Sequence, residues 1–267
     1  MSHVMQLFDL TGKVAIVTGA GGGLGKQMAV ALAEAGANVA IAARRQELCQ
    51  QTADEVRRIG THGLAIQVDV TQSDQIRAMV ATVVRELGTI DIVVNNAARL
   101  HIAPSETHSL EEWQAVMAVN AMGVFAVCQA AAEVMIPRRR GKIINIASVY
   151  GQVGIDSSLY TMDASLRFDM PAYCASKGAV LALTRDLAVN WARYNINVNA
   201  ITPGMCLTEL TRDFVPAETI ANLEQRTPLK RFGGDEDLKG AVVYLASAAS
   251  DFVTGHNLVV DGGWLSW

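Results

Sequence analysis

Val14-Ala15-Ile16-Val17-Thr18-Gly19-Ala20-Gly21-Gly22-Gly23-Leu24-Gly25 decides how the rest of the chain folds. Residues 14–18 are apolar or β-branched at every position, the pattern of a strand with both faces buried. Five glycines then fall within the seven residues from Gly19 to Gly25. Beyond them Leu24, Met28, Leu32 and Ala35 repeat at helical spacing, and Gly36 stands where a left-handed cap ends a helix. A strand, a glycine turn and a helix in that order aim unpaired N–H groups and a positive dipole end at one point. Without Cβ atoms in the way, a pyrophosphate can come close. Gly19, Gly23 and Gly25, with Leu24 between them, are the expected cradle; a turn that needed only flexibility would not call for so many glycines.

Six further apolar runs, 39–43, 64–68, 90–94, 142–147, 196–201 and 258–260, alternate with longer helical patterns. Their predominantly apolar character, in place of a sustained alternation, means that both faces of the sheet should be covered. This predicts an α/β Rossmann fold with a doubly wound, seven-stranded parallel sheet and helices on both faces. A chain of 267 residues suits one domain over 1–267, and no linker, repeat or low-complexity tract divides it. Residues 151–170, which contain Asp156-Ser157-Ser158 and Asp163-Ala164-Ser165, break the pattern and are expected to form a loop or substrate lid.

Composition narrows the function. Hydrophobic residues make up 51% and charged residues 18%, which supports a sizeable core and argues against disorder. A net charge of −4 offers no basic surface for a phosphate backbone, so nucleic acid is not an expected partner. The one basic run, Arg138-Arg139-Arg140, follows a helix-breaking Pro137 and reads as a solvated helix end. Cys49, Cys128, Cys174 and Cys206 are scattered and the five histidines dispersed, so no metal site is expected, and the thiols are expected to be reduced in a cytoplasmic protein. Cys174 has no identifiable base that would make it a nucleophile. The N-terminus lacks a signal-peptide pattern and no apolar stretch reaches about 18 residues, so neither export nor a membrane partner is expected.

Ligands of open α/β sheets bind at the carboxyl ends of the strands. At the end of the second strand an acidic residue would bind an adenosine ribose and repel a 2′-phosphate; the chain has Ala42-Ala43-Arg44-Arg45 instead. Arg44 can pair with a phosphate, which favours NADP(H) over NAD(H), with NAD(H) still possible; the less favoured alternative is that either arginine is only a solvated helix-start residue. Asp69-Val70 closes the third strand and could accept from an adenine amino group, and Asn95-Asn96-Ala97-Ala98 closes the fourth. Taken singly, each is as well explained by turn formation.

Tyr173-Cys174-Ala175-Ser176-Lys177 opens a helical stretch and sets Tyr173 and Lys177 one turn apart on one face. A phenol titrates near pH 10, so proton transfer near neutrality needs about 4 kcal/mol of added preference for phenolate. A neighbouring ammonium in a dry site could supply much of it. Ser148, after the fifth strand, could hold a substrate oxygen beside the phenol, and Asn120, polar amid apolar neighbours in a single helical run expected from Glu111 to Met135, could fix a water linking Lys177 to solvent. Ser148 also suits a helix cap, and Asn120 a buried, bonded amide.

Along nearly its whole length the chain resembles the short-chain dehydrogenase/reductase family. Thr18-Gly19 through Gly25 is similar to the family's Thr-Gly-x-x-x-Gly-x-Gly, Asn95-Asn96-Ala97 to its Asn-Asn-Ala-Gly, and Tyr173 with Lys177 to its Tyr-x-x-x-Lys. The resemblance implies Tyr173 as general acid/base, Lys177 as its activator and nicotinamide-ribose ligand, Ser148 as substrate orienter and Asn120 as relay. It further implies that Pro203-Gly204 with Thr208 contacts the carboxamide, and that the tail from Phe252 to Gly263 packs at a tetramer interface. Two departures stand out. Ala98 replaces a glycine, and 25 positions separate Ser148 from Tyr173 where relatives have about a dozen fewer, so residues 155–169 are expected to cap the substrate pocket. Residues 7–13 and 226–233 resemble gluconate 5-dehydrogenase-like members, which act on sugar acids and polyols. The expected reaction is hydride transfer between NADP(H) and a secondary alcohol or ketone, such as a sugar acid, polyol or cyclic ketone. The alternatives are a catalytically silent cofactor sensor and a non-redox lyase or isomerase using the same tyrosine.

Overall fold

The computed structural model describes residues 3–161, 168–208 and 215–267; Asp163-Ala164-Ser165 lies outside them. Seven strands form one parallel sheet: β1 (Val14–Thr18), β2 (Asn38–Ala43), β3 (Gly63–Gln67), β4 (Ile92–Asn95), β5 (Gly141–Ile146), β6 (Ile196–Pro203) and β7 (Asn257–Val260). Their spatial order is β3-β2-β1-β4-β5-β6-β7, every neighbouring pair parallel. The expected single-domain Rossmann architecture is the one observed. The helices are α1 (Gly23–Glu34), α2 (Gln46–Ile59), α3 (Ser73–Leu87), α4 (Leu110–Met117), α5 (Val124–Arg138), α6 (Pro171–Trp191), α7 (Ala217–Arg226) and α8 (Lys239–Ala246).

The unalternated strands serve two cores. Val14 and Ile16 of β1 face a cluster built with α3, α5 and α6, while Ala15 and Val17 face one built with α1, α2 and α8. The polar residues buried in these strands have partners there: Asn95 of β4 donates to Asn145 of β5 (2.9 Å), and Asn199 of β6 donates to the Val253 carbonyl (2.9 Å). The order reverses between β1 and β4, whose register pairs Ala15 with Ile92 and Val17 with Val94. That reversal opens a crevice at their carboxyl ends, where the glycine turn leaves β1.

Three expectations change. Helix α4 does not run straight into α5: Ala118–Gly123 forms a π-helical turn between them. Taken through that turn, Leu110–Arg138 is a 29-residue helical run that is long and apolar enough to cross a membrane, contrary to the expectation that no stretch reaches that length. Half of its most apolar window is buried inside the fold, as for a core helix. Finally, Pro137 sits inside the last turn of α5, and the helix stops one residue after it at left-handed Arg139. Arg138 is not merely solvated, because its guanidinium pairs with buried Asp91 (3.2 Å) and donates to the Ile90 carbonyl (3.2 Å). The other Asp91 oxygen accepts from Val14 N (3.1 Å), so this arginine stitches α5 to the starts of β1 and β4.

Candidate active site

Where β1 and β4 end, four hydrogen bonds close the crevice floor. Thr18 Oγ1 accepts from the backbone N–H groups of Asn96 (3.0 Å) and Ala97 (3.2 Å), and Asn96 Nδ2 donates to the carbonyls of Thr18 and Gly19 (3.1 Å each). The backbones come so close that a Cβ on Gly19 would lie 2.8 Å from Ala97 Cα, and one on Gly25 only 2.4 Å from the Gly19 carbonyl oxygen. Gly19 also has φ +66, which a side chain resists. Gly25→Ala must therefore displace the turn, at a cost of about 1–3 kcal/mol. The expected result is roughly a tenfold or larger loss of NADPH affinity in a fluorescence titration, together with a lower melting temperature; unchanged affinity would show that the turn is not the cradle.

Above this floor lies a cavity of about 510 Å³. Gly19, Gly23, Leu24, Arg44, Asp69, Val70, Asn96, Ala97 and Thr208 all line it, so nine of the residues expected at the cofactor share one space. Gly22 borders the same cavity, and a Cβ there would meet nothing within 4 Å, which leaves room for a ligand against the backbone. Arg44 is exposed at its rim, next to small Ala43. Asp69 is a turn former as well as a wall residue, since its Oδ1 accepts from Thr71 N (2.9 Å) and Thr71 Oγ1 (2.8 Å). Asn95 points away, donating to Asn145 Oδ1 (2.9 Å) and Cys128 Sγ (3.1 Å) in the core. Ala98 is exposed, so the methyl that replaces the family glycine meets no obstruction.

Pro203 and Gly204 are placed differently. Pro203 ends β6, and Gly204 borders a separate cavity of about 490 Å³. A Cβ on Gly204 would meet Asp261 Cα at 2.6 Å, so close passage of the chain after β7 accounts for this glycine. Sequence reasoning missed Leu48, Arg99 and Val119 as cavity walls. Only Arg99, directly after the Asn-Asn-Ala-Ala run, carried any signal.

Pro171 starts α6, where a missing N–H costs nothing, and the helix presents Tyr173 and Lys177 one turn apart. Lys177 is 3% exposed; its Nζ donates to the Ile146 carbonyl (2.6 Å) and lies 5.7 Å from the centre of the Tyr173 ring. Ser148 sits beside the phenol, whose titration its hydroxyl pulls down, and accepts from Tyr150 N (3.2 Å) as the cap of a short turn. Asn120 lies fully buried in the π-helical turn. Its Nδ2 donates to the Arg99 carbonyl (3.0 Å) and Ser176 Oγ (2.9 Å), and its Oδ1 accepts from Arg99 N (2.7 Å). Ser176 in turn donates to the Tyr173 carbonyl (2.7 Å). Both amide donors are thus taken, leaving one Oδ1 lone pair for a water.

Burial pushes the Tyr173 phenol up, with the Ser148 hydroxyl pulling the other way, and burial pushes the Lys177 ammonium down to about 8. Desolvation therefore outweighs the expected lowering of the phenol by Lys177 in the chain itself. The site holds a neutral phenol able to donate a proton, beside an amine that titrates only a little above neutrality.

The other side of Tyr173 is aromatic. Tyr173 and Cys174 pack against a cluster that contains Tyr150, Tyr160, Phe168 and Trp264. Two of these, Tyr160 and Phe168, come from the 151–170 stretch. That stretch is tied to α7 by Thr161 N to Thr219 Oγ1 (2.9 Å), and to the segment after β4 by Ala103 N to the Asp169 carbonyl (3.2 Å).

A crevice that admits a pyrophosphate, beside a buried tyrosine–lysine pair, defines an oxidoreductase that works with a dinucleotide. A family model described as enoyl-(acyl carrier protein) reductase matches residues 19–265. The 5-keto-D-gluconate 5-reductase of Escherichia coli K12 is 39% identical over 97% of this chain and 98% of its own. A crystal structure of a short-chain type dehydrogenase/reductase from Mycobacterium marinum is 42% identical, covers 98% of this chain and 99% of its own, and superposes with a TM-score of 0.91. A gluconate 5-dehydrogenase from Burkholderia cenocepacia, crystallised with NADP and tartrate, is 41% identical over 99% of this chain and 100% of its own, with a TM-score of 0.90. The chain belongs to the short-chain dehydrogenase/reductase family and is an oxidoreductase acting on CH–OH groups.

Proposed function

We propose that the protein transfers hydride between NADP(H) and a secondary alcohol or ketone, with Tyr173, Lys177, Ser148 and Asn120 as its catalytic set. The observation that carries this reading is the buried Lys177, held by the Ile146 carbonyl (2.6 Å) with its Nζ 5.7 Å from the centre of the Tyr173 ring. The cavity fits the cofactor on physical grounds: a glycine cradle too tight for Cβ atoms, open space over Gly22, and an exposed guanidinium at Arg44. Gly19, Gly23, Leu24 and Gly25 would hold the pyrophosphate, Arg44 the 2′-phosphate, Asp69 and Val70 the adenine, and Asn96, Ala97 and Thr208 the remainder. When bound, NADPH supplies the hydride.

In the reducing direction Tyr173 Oη gives its proton to the substrate oxygen, and Ser148 Oγ donates a second hydrogen bond to that oxygen. Lys177 stabilises the phenolate that remains, its cation held in place by the Ile146 carbonyl. Asn120 fixes the start of α6 through Ser176 and offers its free Oδ1 lone pair to a water that returns the proton. Residues 151–170 act as a substrate lid on a single domain. The enzyme is read as a soluble, cytoplasmic homotetramer or dimer, in keeping with the similarity of its 252–263 tail to an interface segment.

The test is nicotinamide absorbance with a ketone panel, using NADPH and NADH in parallel. NADPH should be preferred, and Arg44→Ala should lower kcat/KM for NADPH about 10- to 100-fold, the worth of one charge-assisted phosphate contact, without changing that for NADH. A wild-type preference for NADH would overturn the assignment of Arg44.

A further inference from the structure

We propose that Gln67 is a positioning residue for the 2′-phosphate of NADP(H), holding the main chain at Arg44 and so sharpening the choice between the two cofactors. This rests on the reading of Arg44 as the phosphate ligand. Along the chain from β2 into α2 the successive carbonyls of residues 42, 43 and 45 are each taken by a backbone N–H group. Ala42 accepts from Gly19 (2.7 Å), Ala43 from Val68 (2.9 Å) and Arg45 from Cys49 (3.2 Å). Arg44 falls in the gap, where the β2–β3 ladder has ended and the first turn of α2 has not begun. A carbonyl there needs a partner from elsewhere, and the side chain of Gln67 supplies it, Nε2 donating to the Arg44 carbonyl at 3.0 Å. Gln67 is the last residue of β3 and lies in register with Ala43, so its side chain adds one rung past the end of the ladder.

The joint that carries Arg44 has little else to fix it. No side chain caps α2 at Arg45, whose backbone is extended. Arg44 lines the cofactor cavity and also a neighbouring cavity of about 590 Å³, so its guanidinium has open space on two sides. Among the described residues nothing pairs with that guanidinium. A phosphate must therefore confine it on binding, and whatever the main chain already fixes is freedom that the ligand does not have to remove. Gln75 lines the same neighbouring cavity and does the equivalent for Asp69, its Oε1 accepting from Asp69 N (2.8 Å). Asp69 is read as an adenine contact, which both cofactors share, whereas Arg44 meets a phosphate only in NADP(H). The two glutamines thus differ in which cofactor they can tell apart.

The test is binding without turnover, read by fluorescence titration of NADPH and NADH into the full chain, with melting temperature measured alongside. Gln67 is exposed, so Gln67→Met removes the donor, keeps the stem and leaves the core untouched. It should weaken NADPH about 3- to 10-fold, the worth of one hydrogen bond, and leave NADH within about twofold. Arg44→Ala should weaken NADPH by more, and adding Gln67→Met to it should cost nothing further, because Gln67 acts through Arg44. Gln75→Met should keep the wild-type ratio of the two affinities. An equal loss for both cofactors in Gln67→Met, a full further loss when it is added to Arg44→Ala, or a changed ratio in Gln75→Met would overturn the proposal. Unchanged NADPH affinity in Gln67→Met would overturn it too, while a loss in Arg44→Ala keeps the assignment of Arg44 standing by itself. If Arg44→Ala also leaves NADPH binding unchanged, that assignment falls and the proposal falls with it.

Discussion

Tyr173→Phe is expected to lower kcat for NADPH-dependent ketone reduction by about 10³-fold, within the range that a positioned general acid supplies. The substitution removes one hydroxyl and keeps the ring, so the contacts of Tyr173 with the aromatic cluster persist. KM for NADPH should stay within about threefold, because the glycine cradle and Arg44 are untouched. The phenol is neutral in the chain because burial raises it, so it can act as an acid without prior protonation. A variant that keeps a tenth or more of wild-type kcat would remove Tyr173 from the chemistry.

Lys177→Met is expected to abolish most activity, by 10²-fold or more, while leaving the protein as stable as before or more so. Burial lowers the lysine from its ordinary 10.5 to about 8, equivalent to about 3 kcal/mol against its charged form. The folded chain holds fewer protons than the unfolded one between pH 8 and 10.5. Stability therefore rises with pH across that window, and below about pH 8 the full cost is present. Methionine removes the cost but leaves the Ile146 carbonyl without its 2.6 Å donor, a loss of about 1–3 kcal/mol. The net at pH 7 is between no change and about 2 kcal/mol of stabilisation, at most several degrees in Tm. Denaturant titrations at pH 7 and 10 check this: the wild type should gain stability relative to the variant as pH rises. In the wild type, reduction should slow as pH climbs through about 8 and Lys177 loses its charge. A variant several kcal/mol less stable at pH 7 would show that the lysine is structural.

The fold was legible because its signal is local. Every position of residues 14–18 is apolar or β-branched, and the glycines follow at once, so strand, turn and helix α1 could be located from a dozen letters. Boundaries moved where a partner decides them: β6 runs two residues past the apolar run, to Pro203, because Val260 of β7 pairs with it. Tyr173 and Lys177 were legible for the same reason, one turn apart on one helix. Ser148 and Asn120 were legible only as candidates with plainer alternatives, a helix cap and a buried amide, since their partners lie elsewhere in the chain.

What stayed hidden depends on distant elements. Nothing near Arg138 announces that it reaches Asp91, 47 residues earlier, and Asn95 gives no sign that it binds Asn145 across the β4–β5 pair. The π-helical turn at Ala118–Gly123 leaves no mark on an apolar pattern that reads as one helix. Tyr160 and Phe168 fall in a stretch with no periodicity, and nothing in it announces that the two rings stack.

The most direct test of hydride transfer is isotopic. NADPH carrying deuterium at C4, in each of its two stereochemical forms, is incubated with the protein and a ketone it binds, and the alcohol product is analysed by mass spectrometry. One of the two forms should deliver a single deuterium to the carbinol carbon, and Tyr173→Phe should slow that delivery about 10³-fold. Product whose carbinol hydrogen comes from solvent, or cofactor that binds and is recovered unoxidised, would contradict the account and point to a non-redox or cofactor-sensing protein.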